Sequence, residues 1–308
     1  MATGAGTPSE HAAVQVGAAA VSSRTTVLAA DGARLAAWVR QPNTPLPPDA
    51  PTVVLAHGWT LNHTAWDRVT DQLVQRLPVR VVSYDQRGHG QSGRHGPHQR
   101  HHRASVHELG DDLHAVISAV APHGPLVLGG HSMGGMTVMA FAGGHPDVVR
   151  QRVRGALLVS TSAGDLRGLG RRGEVGLMRT LAHVPLLRAG RAITAKGQRE
   201  LLFGDEANPG DVEATRSMVG GMKLSALGAY YEALGRHDEV DALAELADVP
   251  TRVLVGERDR LTPVSHARRL GELLPDAEVV VLPRLGHMLG FEATDVVTEH
   301  LCSLVEAP

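Results

Sequence analysis

Short apolar runs alternate along this chain with segments whose apolar residues recur at helical spacing, and this alternation restricts the possible folds. The strand-like runs are continuously apolar, which is typical of strands buried on both faces of a parallel sheet. We therefore predict an α/β fold with a doubly wound, mostly parallel sheet that is covered by helices on both faces. The predicted strands are 52–57, 79–85, 125–130, 153–161, 251–256 and 277–282, and the predicted helices are 65–77, 106–120, 133–144, 263–274 and about 293–305.

Other segments complete the predicted organisation of the chain. Two apolar runs around Asp31-Gly32 predict a β-hairpin over 24–40. One long stretch, 165–245, has a helical pattern broken by Gly and Pro and contains no β-rich run, so we interpret it as an inserted helical cap. The predicted division is a disordered N-terminal tail at 1–23, a core at 24–164 and 246–308, and the cap at 165–245.

Composition excludes several classes of protein. A net charge of −2 provides no basic field for nucleic acid, and one cysteine, Cys302, cannot form a disulfide framework. No apolar run reaches the roughly 20 residues that span a bilayer, and the first residues lack the basic and apolar regions of a signal peptide. We expect a cytoplasmic protein without a transmembrane segment; its oligomeric state is not predicted.

The stretch Gly130-His131-Ser132-Met133-Gly134 lies between a predicted strand and a predicted helix. A sharp turn there would lift the Ser132 hydroxyl clear of the backbone, and only small residues fit on either side of it. The motif alone is weak, but in this context it predicts a nucleophilic serine. The alternative is a Gly-rich helix start with a capping serine.

A serine hydroxyl needs a base to accept its proton, and His287 follows the last predicted strand. Asp259 follows the preceding strand, so consecutive parallel strands would bring the two loops together. We predict that Asp259 orients His287, with Asp165 as the rival acid and Asp238 as a weaker one. The order Ser132, Asp259, His287 is the order expected for an α/β-hydrolase triad.

An attacked carbonyl would also need donors for its developing negative charge. The N–H of Met133, at the helix start, is one candidate. The N–H of Trp59, which follows His57-Gly58 in the loop after the first buried strand, is the second. A main-chain donor does not depend on its side chain, so neither role requires Trp or Met as such.

Together, the segments "HGW" (57–59), "YDQRGHGQS" (84–92), "GHSMGG" (130–135), "GERDRLTP" (256–263) and "GHM" (286–288) resemble the α/β-hydrolase superfamily. The second and third are most similar to its monoacylglycerol-lipase and small-ester esterase branches, and "HGW" to aryl esterases and cofactor-free perhydrolases. The resemblance implies that Asp85 and Arg87 are structural. It excludes epoxide hydrolases and haloalkane dehalogenases, which have aspartate in place of Ser132.

The leading hypothesis is a serine hydrolase that cleaves an ester or related acyl bond of a small, apolar substrate without a cofactor or metal. Acyl transfer, perhydrolysis or lyase chemistry on the same scaffold remains open, as does a non-catalytic ligand receptor. In the cap, Met218, Met222 and Tyr230 are candidates to line an apolar pocket over Ser132; the alternative is that they pack the cap onto the sheet.

Five histidines crowd 94–108, but no metal-ligand spacing such as H-E-x-x-H accompanies them. We interpret this segment as a solvated basic loop, in which incidental zinc or nickel binding remains open.

Overall fold

A computed structural model describes residues 20–47, 49–97, 103–166, 172–181, 187–190 and 194–307. Within these residues, eight strands form one sheet in the order β1-β2-β4-β3-β5-β6-β7-β8. β1 and β2 pair antiparallel, as do β2 and β4, and every other neighbouring pair is parallel. The strands are β1 Val21–Leu28, β2 Arg34–Gln41, β3 Thr52–Ala56, β4 Arg80–Tyr84, β5 Leu126–His131, β6 Val153–Val159, β7 Thr251–Gly256 and β8 Glu278–Leu282.

Helices cover both faces of this sheet. They are α1 Asp67–Arg76, α2 Val106–Val120, α3 Met133–Gly144, α4 Pro146–Arg152, α5 Arg172–Leu181, α6 Ala195–Leu202, α7 Pro209–Gly221, α8 Leu224–Leu234, α9 Val264–Leu273, α10 Leu289–Glu292 and α11 Thr294–Glu306. The described residues also contain two short 3-10 helices, His63–Trp66 and Asp241–Leu246. The predicted doubly wound α/β fold is confirmed, while α4 and α10, which are short, were not predicted.

Two apolar clusters lie on opposite faces of the sheet. One contains side chains of α2, α3, α8 and α9, and the other contains side chains of α1 and α11. α1 buries only one stripe, whereas α3 is apolar on every side and almost wholly buried. A helix that is apolar all round can only be stable inside the protein, so α3 lies at the centre of the molecule.

Residues 21–41 form the first two strands of the sheet. The hairpin is confirmed, because β1 and β2 pair from Val21–Gln41 to Leu28–Arg34. β1 begins at Val21, within the predicted tail 1–23, of which 1–19 lie outside the described residues.

None of the described helices is both long and apolar enough to cross a bilayer. Of the histidine-rich segment 94–108, residues 98–102 lie outside the described residues.

The long insert between β6 and β7 carries α5 to α8, as its helical pattern predicts. It lies against loops that follow the carboxyl ends of β3 and β4. The Met218 sulfur is 3.7 Å from Thr64 Oγ1, and the Tyr230 and His89 ring centroids are 5.1 Å apart. Side chains of open α/β sheets that carry chemistry gather at this edge, so the insert contacts the region where a site is expected.

Candidate active site

Ser132 occupies a strained turn between β5 and α3. Its φ of 54° and ψ of −119° are unusual for a residue with a side chain. Two hydrogen bonds from neighbouring chain hold the turn: Ser132 N–H donates to Val159 O over 2.9 Å, and Thr161 Oγ1 donates to Ser132 O over 2.7 Å. Strain held in this way is common at functional sites.

Close packing explains the glycines on either side of the serine. A Cβ on Gly130 would lie 2.3 Å from the Gly134 carbonyl oxygen, and a Cβ on Gly134 would lie 2.0 Å from the Ala56 carbonyl oxygen. Both distances are too short for real atoms. The turn therefore requires glycine at both positions, as the sequence pattern indicates.

Asp259 and His287 meet beyond the carboxyl ends of β7 and β8. His287 Nδ1 lies 2.8 Å from Asp259 Oδ2, and both side chains are buried. A carboxylate only accepts, so Nδ1 carries the hydrogen and Nε2 is left free to accept a proton. The main-chain N–H of His287 donates to Leu202 O over 2.7 Å, and this hydrogen bond holds the main chain that carries the imidazole ring.

Both oxygens of the Asp259 carboxylate accept hydrogen bonds. Oδ1 accepts from the N–H groups of Leu261 and Thr262, each over 2.9 Å, and Oδ2 also accepts from Thr262 Oγ1 over 3.0 Å. Burial alone would raise the pKa of Asp259, but the charge of His287 and these hydrogen bonds outweigh it and lower the pKa to about 2. Asp259 is therefore ionised at neutral pH and suited to hold an imidazolium.

The two rival acids lie elsewhere. Asp165 and Asp238 are exposed and line a different cavity of about 470 Å³, together with Ser162 and His266. In that cavity burial lowers the pKa of His266, although the charge of Asp165 acts to raise it. Of the three predicted acids, Asp259 is the one that the structure brings into contact with His287.

The turn at Ser132 and the loop of His287 are joined through His131. The rings of His131 and His287 are 4.8 Å apart, and His131 Nε2–H donates to His287 O over 2.8 Å. Burial, followed by the charge of His287, lowers the pKa of His131 to about 3, so its ring is neutral. Within the described part of the chain, the Ser132 hydroxyl forms no hydrogen bond with His287.

The loop after β3 lies against the same turn. A Cβ on Gly58 would be 3.2 Å from the Cβ of Ser132, so the main chain just before Trp59 approaches the serine closely. Met133 N–H is the first of α3, where helical N–H groups lack a partner within the helix. Among the described residues, neither the Trp59 N–H nor the Met133 N–H donates to another main-chain group.

A buried polar network supports this loop, and sequence reasoning missed it. Gln86 N–H donates to His57 Nε2 over 2.9 Å, His57 Nδ1–H donates to Gly58 O over 2.8 Å, and Thr137 Oγ1 donates to Gln86 Oε1 over 2.7 Å. Burial lowers the pKa of His57 to about 4, which keeps the ring neutral and able to accept from Gln86. A glutamine directly after a buried strand was the available clue.

Asp85 and Arg87, for which the resemblance implies a structural role, are buried and bind neighbouring segments of the scaffold. Buried Asp85 accepts from both N–H and Nδ1–H of His63, each over 2.8 Å. Arg87 forms a two-bond pair with Asp112, at 2.8 and 2.6 Å, and a second pair with Asp31, at 2.8 and 3.1 Å. These pairs fasten the turn after β4 to α2 and to the hairpin.

The predicted cap residues separate into two groups. Met218 and Met222 line one cavity of about 400 Å³, between α7 and the loop that begins at Thr60. Tyr230 is not among the lining residues of that cavity: it is fully buried and packs against the His89 ring. No group of three or more potential metal-ligating side chains is placed to hold an ion in the described residues.

A mostly parallel sheet, a strained serine turn after β5 and a histidine–aspartate pair after β8 and β7 together define an α/β hydrolase. A family model described as "Serine aminopeptidase, S33" matches residues 47–294. The chain belongs to this family of α/β hydrolases, which confirms the predicted superfamily and the predicted class of enzyme.

Relatives and solved structures agree with this assignment. The chain is 29% identical to a pimeloyl-[acyl-carrier protein] methyl ester esterase of Chromobacterium violaceum, over 77% of this chain and 87% of that protein. It is 26% identical to the mouse sn-1-specific diacylglycerol lipase ABHD11, over 77% of this chain and 75% of that protein. A thermophilic esterase from Thermogutta terrifontis superposes with a TM-score of 0.72 at 26% identity, covering 91% of this chain and 97% of that one.

Proposed function

We propose that this protein is a serine esterase that acts through Ser132, His287 and Asp259. The observation that carries the proposal is the 2.8 Å hydrogen bond between His287 Nδ1 and an ionised Asp259. The main chain of His287 also accepts from His131, which directly precedes a serine in a strained strand-to-helix turn. Such a pair leaves Nε2 of the imidazole to accept a proton from the serine hydroxyl. The family membership and the esterases among the relatives support the same reaction class.

The reaction proceeds in two acyl transfers. Ser132 Oγ attacks the ester carbonyl as His287 takes its proton, and the main-chain N–H groups of Trp59 and Met133 stabilise the resulting oxyanion. Collapse breaks the bond to the alcohol, which leaves with the proton from His287. Water, deprotonated by His287, then attacks the acyl-enzyme, and collapse of this second intermediate releases the acid as His287 returns the proton to Ser132 Oγ. Asp259 stabilises the imidazolium each time it forms.

The insert over the sheet serves as the cap that selects the substrate. Its cavity of about 400 Å³ is lined by the apolar side chains of Leu61, Met218 and Met222 and by polar residues, and it begins at Thr60, directly after the proposed oxyanion donor. Among the described residues that line it there is no member of the proposed triad. Methionine side chains adapt to irregular apolar groups. We therefore assign the cavity to an apolar part of a small ester, and we do not assign Tyr230 to it.

A labelling experiment tests the proposal. A fluorophosphonate probe should label the wild-type protein and not Ser132→Ala, and the wild type should hydrolyse p-nitrophenyl esters over a series of chain lengths. Amino-acid p-nitroanilides, included because the family model is described as an aminopeptidase, should be poorer substrates. Equal turnover by Ser132→Ala and wild type would refute the esterase assignment, and ester products formed with added alcohols would indicate acyl transfer.

A further inference from the structure

One carboxylate outside the proposed triad binds the main chain on both sides of His287. Glu292, the last residue of α10, accepts from Gly286 N–H over 3.1 Å and from Met288 N–H over 3.2 Å, both through Oε2. Its Oε1 accepts from Gly204 N–H over 2.6 Å. Gly286 and Met288 flank His287 directly, whereas Gly204 belongs to the insert between β6 and β7.

The same stretch of the insert lies along the His287 loop. His287 N–H donates to Leu202 O over 2.7 Å, and Asp205 N–H donates to Arg284 O over 2.9 Å. The contact is so close that a Cβ on Gly204 would lie 2.0 Å from Arg284 O. Segments 202–205 and 284–288 are thus joined by main-chain hydrogen bonds, with the Glu292 carboxylate at their junction.

We propose that Glu292 is a positioning residue that sets the location of His287 and docks insert segment 202–205 onto the His287 loop at the same time. Its carboxylate satisfies three N–H groups from two segments, and a neutral amide in its place would offer one acceptor oxygen and turn two hydrogens toward these donors. The position of His287 and the docking of the insert therefore change together. The part that concerns catalysis rests on the proposed role of His287.

The kinetic test compares Glu292→Gln with Glu257→Gln. Glu257 is a matched control, because its Oε2 also accepts from a main-chain N–H of this loop, that of Arg284, over 3.0 Å, but it does not touch the neighbours of His287. We expect Glu292→Gln to lower kcat on a p-nitrophenyl ester on the order of 10- to 100-fold with a smaller change in KM, because the base is misplaced. Glu257→Gln should change both constants little.

Hydrogen exchange tests the positioning without a substrate. In the wild type, the amides of Gly204, Gly286 and Met288 should be protected, and in Glu292→Gln they should exchange faster while β5 and β6 keep their wild-type protection. A general loss of stability would instead speed exchange throughout the sheet. The wild-type measurement does not require the variant to fold.

The outcomes separate this proposal from the esterase assignment. Rapid exchange of the three amides in the wild type would overturn the positioning role, as would equal kcat values for Glu292→Gln and Glu257→Gln. If Ser132→Ala kept its turnover while the amides behaved as expected, the esterase assignment would fail and the docking role of Glu292 would stand.

Discussion

His131 donates its Nε2–H to the main-chain carbonyl of His287 over 2.8 Å, so the residue before the proposed nucleophile supports the loop of the proposed base. Burial lowers the pKa of His131 to about 3, so the ring is neutral and carries its single hydrogen on Nε2, where it is donated. His57 and His89 are buried close by, with pKa values lowered to about 4 and about 3. Three buried histidines close to the proposed site are therefore neutral at pH 7.

The first prediction is that stability falls as the pH drops below about 6.5, the ordinary pKa of histidine. Below that pH the unfolded chain binds protons at His57, His89 and His131 that the folded protein does not bind. The loss continues until the pH reaches their folded values, about 4 for His57 and about 3 for the other two. Urea unfolding at pH 7.5 and 5.0 should show a lower midpoint at pH 5.0.

A variant isolates the histidine contribution. His89→Leu should reduce the difference in unfolding free energy between the two pH values, because one of the buried rings that bind protons only in the unfolded chain is removed. The same pH dependence in His89→Leu and wild type would contradict the assignment of acid lability to the buried rings.

The second prediction concerns the acid that orients His287. Asp259→Asn should lower kcat by about 10⁴-fold, because an amide that donates toward Nδ1 favours the wrong tautomer of the ring. Asp165→Asn and Asp238→Asn are the matched controls, since both carboxylates lie on the rim of a different cavity. Their kcat values should stay near wild type. A large loss in Asp165→Asn with activity retained in Asp259→Asn would reverse the assignment.

The third prediction uses the strain at Ser132. Both Ser132→Ala and Ser132→Gly should be inactive, but a φ of 54° suits glycine better than any residue with a Cβ. Relief of backbone strain of about 1–3 kcal/mol exceeds the extra entropy that glycine loses on folding, about 0.5–1 kcal/mol. Thermal unfolding should therefore give a higher Tm for Ser132→Gly than for Ser132→Ala. A lower Tm for the glycine variant would mean that the turn is not strained.

The sequence predicted the sheet, its main helices and the positions of Ser132, Asp259 and His287 because each depends on local pattern. Apolar runs mark the strands, and the residue that follows a parallel strand lies at the edge where side chains meet. The choice between Asp259 and Asp165 was not local, since β6, β7 and β8 are neighbours in the sheet. The structure places Asp259 against His287, where the N–H groups of Leu261 and Thr262 bind its carboxylate.

Side-chain direction within the insert could not be predicted from its pattern. Helical spacing identified α8, but it did not indicate whether Tyr230 faces a cavity or the core, and the structure buries it completely. Glu292 gave no sequence clue of its own, because its three partners are main-chain N–H groups of distant segments. Nearly every residue has a main-chain N–H group, so hydrogen bonds to such groups leave no recognisable pattern in the sequence.

The fourth prediction concerns Tyr230, whose buried hydroxyl has no hydrogen-bond partner among the described residues. An unpartnered buried hydroxyl costs free energy, so its removal in Tyr230→Phe should leave stability unchanged or raise it by about 1 kcal/mol. Because Tyr230 lies outside the Met218–Met222 cavity, kcat/KM for p-nitrophenyl esters of different chain length should also keep its wild-type order. A changed order would return Tyr230 to the substrate pocket.

The fifth prediction concerns the cavity itself. Met218→Trp should fill part of the roughly 400 Å³ space and lower kcat/KM for long acyl chains more than for acetate, whereas Met218→Leu, of similar volume, should keep the wild-type preference. Met218 is only partly buried, so a bulkier side chain there strains the core little. Initial rates over a series of p-nitrophenyl esters, with thermal unfolding to check that both variants fold, provide the comparison. An unchanged chain-length preference in folded Met218→Trp would place the acyl chain outside this cavity.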